Sequence, residues 1–271
     1  MHASDAWHDC ATPRQRDRSA PASRRAPPVN GGGMAQSCAR EYGERVSGRG
    51  TRSGRHERQA AKPVSPEALK RFARQLGCAL DEAQTAQLCS YLSAVAQWNR
   101  RLNLTAAVEP RAQLEVLVLD ALMLSDERLV CKHSRLLDVG AGAGAPTLAL
   151  LTLRPDLSAT LVDARAKRVT FLRQSAASLG LIGRTRIEQA SIPPYPASLP
   201  HHSDLALSRA TFRPREWLAL GLELAQRTLV FSATEPEPAA PEGSVLVHRK
   251  RYRVPSSHGH RSIGLYRRCE P

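Results

Sequence analysis

Hydrophobic spacing changes twice along the 271-residue chain. Up to Lys62 there is no apolar periodicity: the sequence is Arg, Ser, Gly and Pro, with Ala26-Pro-Pro and Gly31-Gly-Gly33, and residues 1–62 read as a disordered basic tail. Helical spacing begins at Ser65, an N-cap, with Pro66 at the first helical position and Gly77 as the stop. Asp81 with Gln84 three residues on forms a capping box, and Leu88, Leu92, Val95 and Trp98 then recur at helical intervals as a packing stripe. A third amphipathic helix is predicted from Pro110 to about Leu124. Residues 63–130 are thus expected to form a helical cap in front of a second region, 131–271.

Beyond Arg135 the period becomes that of short strands alternating with helices, the pattern of a parallel sheet built from βαβ units. The strands are predicted at Leu136 to Val139, Thr160 to Asp163, Thr185 to Gln189, Asp204 to Ser208 and Thr228 to Ser232. Helices are expected at Pro146 to Leu153, Ala166 to Leu179 and Arg215 to Ala225, with Ser244 to His248 and Ile263 to Arg267 adding an antiparallel pair. The expected fold is therefore α/β, a doubly wound, Rossmann-like sheet with a small N-terminal helical cap.

Composition narrows the partners more than the fold. The 42% apolar and 24% charged residues exclude collagenous and wholly disordered classes, and the net charge of +14 points to a polyanion. Residues 1–62 supply +6 of that charge, so the basic bias persists in the region expected to fold. Six scattered cysteines without a CxxC pair suit free thiols in a reducing cytoplasm, and no metal site is expected. No apolar run is long enough to span a membrane and no signal-peptide core opens the chain, so a cytoplasmic location is expected.

The most informative segment is Leu136-Leu-Asp-Val-Gly-Ala-Gly-Ala-Gly-Ala-Pro146, a strand feeding a glycine turn that opens a helix. Gly140 and Gly142 permit a tight turn with close backbone approach, placing a ligand at the carboxyl end of the first strand. Gly140 to Ala145 satisfies GxGxxA, which fits a dinucleotide. However, Asp138, two residues earlier, suits a cationic ligand such as S-adenosylmethionine better than a pyrophosphate. Asp163 ends the second strand, where a carboxylate can accept ribose hydroxyls of either cofactor.

Six segments in order resemble one family. Trp98-Asn-Arg-Arg-Leu-Asn-Leu-Thr105, Leu137 to Pro146, Arg154-Pro-Asp156, Leu161-Val-Asp163, Lys167-Arg-Val-Thr-Phe-Leu-Arg173 and Ser208-Arg-Ala210 are similar to the RsmG (GidB) family of bacterial small-subunit ribosomal RNA methyltransferases. The resemblance implies a doubly wound methyltransferase sheet, S-adenosylmethionine as cofactor, N7-methylguanosine in 16S rRNA as product, the 16S rRNA or small ribosomal subunit as partner, and a monomer. Carried over residue by residue, it implies cofactor contacts at Gly140, Ala145, Ser191, Ile192 and Arg209, with Asp163 as the ribose-side acid and Gly142 inside the turn. Departures from the family pattern stand at Leu117, Ala145, Thr147, Ile192 and Ser232-Ala-Thr.

Guanine N7 carries an unprotonated lone pair at neutral pH, so the implied reaction needs positioning rather than a base, and no catalytic residue is assigned. With 12 aromatic residues the chain lacks a stacking platform, and Lys167, Arg168 and Arg173 are candidates to grip the RNA backbone. Two other readings stay open. A non-catalytic RNA-binding or assembly protein would keep the fold, and an NAD(P)-linked oxidoreductase would share the glycine turn but lacks a Tyr-x-x-x-Lys constellation.

Overall fold

A computed structural model describes residues 61–193, 203–233, 236–257 and 259–269; the tail read over 1–62 lies almost wholly outside them. Helix α1 (Pro66–Gln75) starts where Ser65 Oγ accepts from the Ala68 amide at 3.2 Å, and Pro66 occupies its first turn. Helix α2 (Glu82–Asn99) carries the complete capping box: the Gln84 amide donates to Asp81 Oδ1 at 2.7 Å, and the Asp81 amide donates to Gln84 Oε1 at 3.1 Å. Each satisfied cap contributes about 1 kcal/mol to its helix.

The single third helix expected from Pro110 to Leu124 is two. Helix α3 (Pro110–Leu117) and helix α4 (Leu119–Leu124) meet at Val118, whose φ of −121° lies outside helical geometry. The break redirects the chain so that every residue of α4 is buried, which one amphipathic stripe does not achieve.

The second region alternates β1 (Arg135–Val139), α5 (Thr147–Leu153), β2 (Ser158–Asp163), α6 (Ala166–Ser178), β3 (Thr185–Gln189), β4 (Ser203–Ser208), α7 (Pro214–Leu224), β5 (Ala225–Ser232), β6 (Ser244–Arg253) and β7 (His260–Arg268). The strands form one sheet in the order β3-β2-β1-β4-β5-β7-β6. β1 to β5 are parallel, whereas β7 lies antiparallel between β5 and β6. The order reverses between β1 and β4, and such a switch point opens a crevice at the carboxyl ends of the two strands.

Successive residues of β1 serve opposite faces. Leu136 joins the core formed with α2, α4, α5 and α6, and Leu137 joins the core under α7. Trp217 anchors that second core, fully buried, with its indole Nε1 donating to the Leu229 carbonyl at 2.8 Å. Because Leu88, Leu92 and Leu122 share the first core with Leu161 and Leu205, the N-terminal helices are built into the sheet's own packing.

Cys78, Cys89 and Cys269 are free thiols. Among the described residues no helix is long and apolar enough to cross a membrane.

Candidate functional site

The site is assembled by the turn between β1 and α5. Gly140, Gly142 and Gly144 all have positive φ, from 54° to 78°, so the chain coils back on itself over a few residues. The Gly140 and Ala141 amides both donate to the Val162 carbonyl, at 2.8 and 3.0 Å, which fixes the turn to the end of β2. Tyr91 of α2 holds its far side, the buried hydroxyl donating to the Ala143 carbonyl at 2.9 Å.

Two of these glycines are needed for close packing and the third for open space. A Cβ at Gly140 would lie 2.3 Å from Thr211 Oγ1, and one at Gly144 would lie 2.5 Å from Leu148 Cδ1. At Gly142 nothing comes nearer than 3.7 Å. Gly144→Ala combines a steric overlap with a left-handed backbone, so it is expected to destabilise the fold by about 2–4 kcal/mol, read as a lower urea midpoint. A destabilisation under about 1 kcal/mol would contradict this packing.

Asp163, buried at the end of β2, closes the turn electrostatically. Its Oδ2 accepts from the Gly142 amide at 2.9 Å, its Oδ1 accepts from the Arg165 amide at 2.9 Å, and Arg168 Nη1 stands 3.6 Å away. Each carboxylate oxygen keeps a further lone pair for a ligand hydroxyl. Arg168 also donates to the Asn103 carbonyl at 3.4 Å, which ties it to the turn as well as to its own helix. Arg173 is likewise engaged, donating to the Ile187 carbonyl at 3.1 Å.

Asp138 lies under the turn, 1% exposed, and accepts a 2.6 Å hydrogen bond from Thr147. Burial pushes its carboxyl up to about 7, although the Thr147 hydroxyl and the Arg209 charge pull the other way. A carboxyl raised in this way binds a proton more tightly folded than unfolded. Its contribution to stability is therefore full below the ordinary carboxylate range near pH 4 and is lost as pH rises through 7. Asp138→Asn is expected to gain on the parent protein in melting temperature between about pH 4 and 7, with a constant difference above about pH 8. A difference that does not change with pH would sink the assignment.

Arg209 follows β4 across the crevice. Its Nε donates to the Ala145 carbonyl at 3.4 Å, and its Nη1 pairs with Asp120 of α4 at 3.5 Å. Asp120 is 4% exposed and is held from the far edge of the sheet as well, by Tyr252 Oη at 2.7 Å and Arg261 Nη1 at 3.1 Å.

Of the residues singled out from sequence, Gly140, Gly142, Ala145, Asp163 and Arg209 converge at the carboxyl ends of β1, β2 and β4. The Ala145 side chain faces the core, and only its backbone borders the crevice. Ile192 is also a core residue, packed with Val139 and Val162, while Ser191 is exposed after β3. Sequence reading misses Asp120, Tyr91 and Tyr252, and it notes Thr147 only as a departure from the family pattern. Asp120 and Tyr91 signal themselves only as an acid or hydroxyl within an apolar stretch, and Tyr252, set among Arg and Lys, carries no such signal.

Residues 84–235 match the GidB family, described as rRNA small subunit methyltransferase G. The chain is similar to Ribosomal RNA small subunit methyltransferase G of Anaeromyxobacter dehalogenans (strain 2CP-C), 35% identical over 74% of this chain and 97% of the relative. It is similar to the protein of the same name from Myxococcus xanthus (strain DK1622), 34% identical over 71% and 92%. Among solved structures, a SAM-dependent methyltransferase from Thiobacillus denitrificans in complex with S-adenosyl-L-homocysteine matches 55% of this chain and 90% of that one, at 12% identity and a TM-score of 0.41. The assignment rests on the sequence matches.

Proposed function

The chain belongs to the rRNA small subunit methyltransferase G family, and from that premise we propose that it transfers a methyl group from S-adenosylmethionine to N7 of a guanosine in 16S rRNA. The observation that carries the reading is the match over nearly the whole length of a 35% identical relative, with the glycine turn and Asp163 inside the matched span. The reading extends to a monomer acting in the cytoplasm on 16S rRNA or the small ribosomal subunit.

The residues present fit the cofactor. The open space over Gly142 admits a ligand against bare backbone, and a Cβ there would begin to fill it. Asp163 offers acceptors beside that space for the ribose hydroxyls. Asp163 places an acid beside the turn, which favours a ligand carrying an ammonium and a sulfonium over a pyrophosphate, whereas Asp138, expected from sequence to face the ligand, is buried beneath the turn on Thr147. Gly140, Gly142, Ala145, Asp163 and Arg209 would hold the cofactor, together with Ser191 and Ile192 where the chain leaves β3.

When bound, S-adenosylmethionine supplies an electrophilic methyl group. The protein's part is to orient and to exclude water. Tyr91 and Asp163 pin the two sides of the turn, and the Asp120 carboxylate holds the Arg209 guanidinium at the crevice. No side chain has to remove a proton from guanine N7, so the barrier is lowered by positioning and desolvation. N7 faces the deep groove of a regular RNA helix, so the target must lie in a loop or an incompletely folded particle.

Transfer of labelled methyl to 16S rRNA or to small subunits lacking the modification tests the reading. Labelled N7-methylguanosine that disappears in Asp163→Ala is the expected result. Cofactor binding without transfer to either substrate would favour the non-catalytic reading, and no cofactor binding would remove the enzyme altogether.

A further inference from the structure

Where the C-terminal end of α2 meets α6 lies a cavity of about 650 Å³ lined by Gln97, Trp98, Arg100, Arg101 and Gln174. It is separate from the Gly140–Asp163 crevice but is tied to it. Trp98 packs edge-on against Phe171 of α6 with ring centroids 5.9 Å apart, and Arg168, which pairs with Asp163, donates to the carbonyl of Asn103 just beyond the cavity's own segment. The chain that walls the cavity therefore runs within one side chain of the cofactor's ribose acid.

The charge around it is of one sign. Residues 97–108 and 164–174 together contain six Lys and Arg and no Asp or Glu. Arg100, Arg101, Arg165 and Lys167 are all exposed, and none is in an ion pair among the described residues. Arg168 and Arg173, the two other cations of these segments, are spent on the protein itself. Exposed guanidinium and ammonium groups on a rim call for phosphates. Although the aromatic count predicts no stacking platform, the lining includes the Trp98 indole and two primary amides, a flat apolar surface flanked by donors and acceptors, which is how an unpaired base is held.

We propose that this cavity binds an unpaired nucleotide of the RNA substrate, with its flanking phosphates on Arg100 and Arg101 and the continuing strand led along Arg165 and Lys167 toward the crevice. This rests on the methyltransferase reading above, whereas the location is set by the cavity and the charge. It replaces the expected grip by Lys167, Arg168 and Arg173 with one centred on the end of α2.

The test compares the parent protein with Arg100→Glu/Arg101→Glu and with Gln97→Ala/Gln174→Ala. Each is measured for binding to a 16S rRNA transcript and to intact small subunits across a salt series, and for methyl transfer. The arginine pair is expected to make the slope of log affinity against log salt shallower by about 1.4, since each phosphate of a single strand left without its cation removes about 0.7. KM for RNA should rise at least about tenfold, with cofactor affinity and melting temperature unchanged. The amide pair should raise KM several-fold and leave the salt slope alone. Active parent protein with an unchanged slope and KM in the arginine pair would overturn the site while leaving the enzyme intact. Weakened binding to subunits with the naked transcript unaffected would place a ribosomal protein there and overturn the RNA assignment. Parent protein that binds cofactor but neither binds nor methylates either RNA would remove the methyltransferase reading and this proposal with it.

Discussion

Asp163→Ala is expected to weaken S-adenosylmethionine binding about 100-fold and to abolish measurable methyl transfer at ordinary cofactor concentrations. Two effects combine. The ribose hydroxyls are deprived of a charged acceptor, at about 1.5–3 kcal/mol for each hydrogen bond. The Gly142 and Arg165 amides, both held by this carboxylate, are left without their partner, so the turn itself loosens. Asp163→Asn keeps the volume but turns one acceptor into a donor facing a neighbouring N–H, and it should fall between the two. Isothermal titration with the cofactor measures the change, and less than about fivefold weakening in the alanine variant would remove Asp163 from the site.

The second large effect is expected at Asp120, which touches no substrate in the proposed mechanism. Asp120→Ala leaves Arg209 and Arg261 without their shared counter-charge and deprives Tyr252 of its acceptor, although both arginines keep some exposure to water. Removing one partner of a buried pair costs about 3 kcal/mol, which for a domain of this size lowers the melting temperature by about 6–12 °C. Cofactor affinity and transfer should fall together because Arg209 is released. Tyr252→Phe, which removes a single hydrogen bond, should cost about 1 kcal/mol and leave transfer nearly intact. Equal effects in the two variants would show that Asp120 acts through packing alone.

The features legible in the sequence are those written in local chemistry. Ser65, Asp81 and Gln84 announce helix starts because a capping side chain bonds to amides two or three residues away, so the signal and its cause share one stretch of chain. The glycine turn is legible for the same reason, and so are the inner strands β1, β2 and β4, buried along nearly their whole length because both faces of a parallel sheet are covered. Other features depend on partners far along the chain. Val118 breaks the third helix so that α4 can be buried on all sides, a requirement set in part by β6 and β7. Arg168 looks like part of a basic face when read with Lys167 and Arg173, yet it turns inward because Asp163 and Asn103 meet it there. Thr147 stands out in the sequence only as a departure from the family pattern, and the fold shows its hydroxyl on Asp138.

The hairpin of β6 and β7 holds both buried acids of the α3–α4 segment. Ser256 donates through its amide and its hydroxyl to Glu115, Arg261 donates to the Glu115 carbonyl and to Asp120, and Tyr252 donates to Asp120. These pairs are separated by 132 to 146 residues. On a chain made from its N-terminus, the first members are synthesised long before the second, and loop closure over such distances delays their meeting further. The glycine turn and Asp163 can form once β2 exists. Arg209 is clamped in place only after the hairpin arrives, so the nascent protein has a cofactor cradle before it has a finished crevice, and strands translated after the cradle make the site whole.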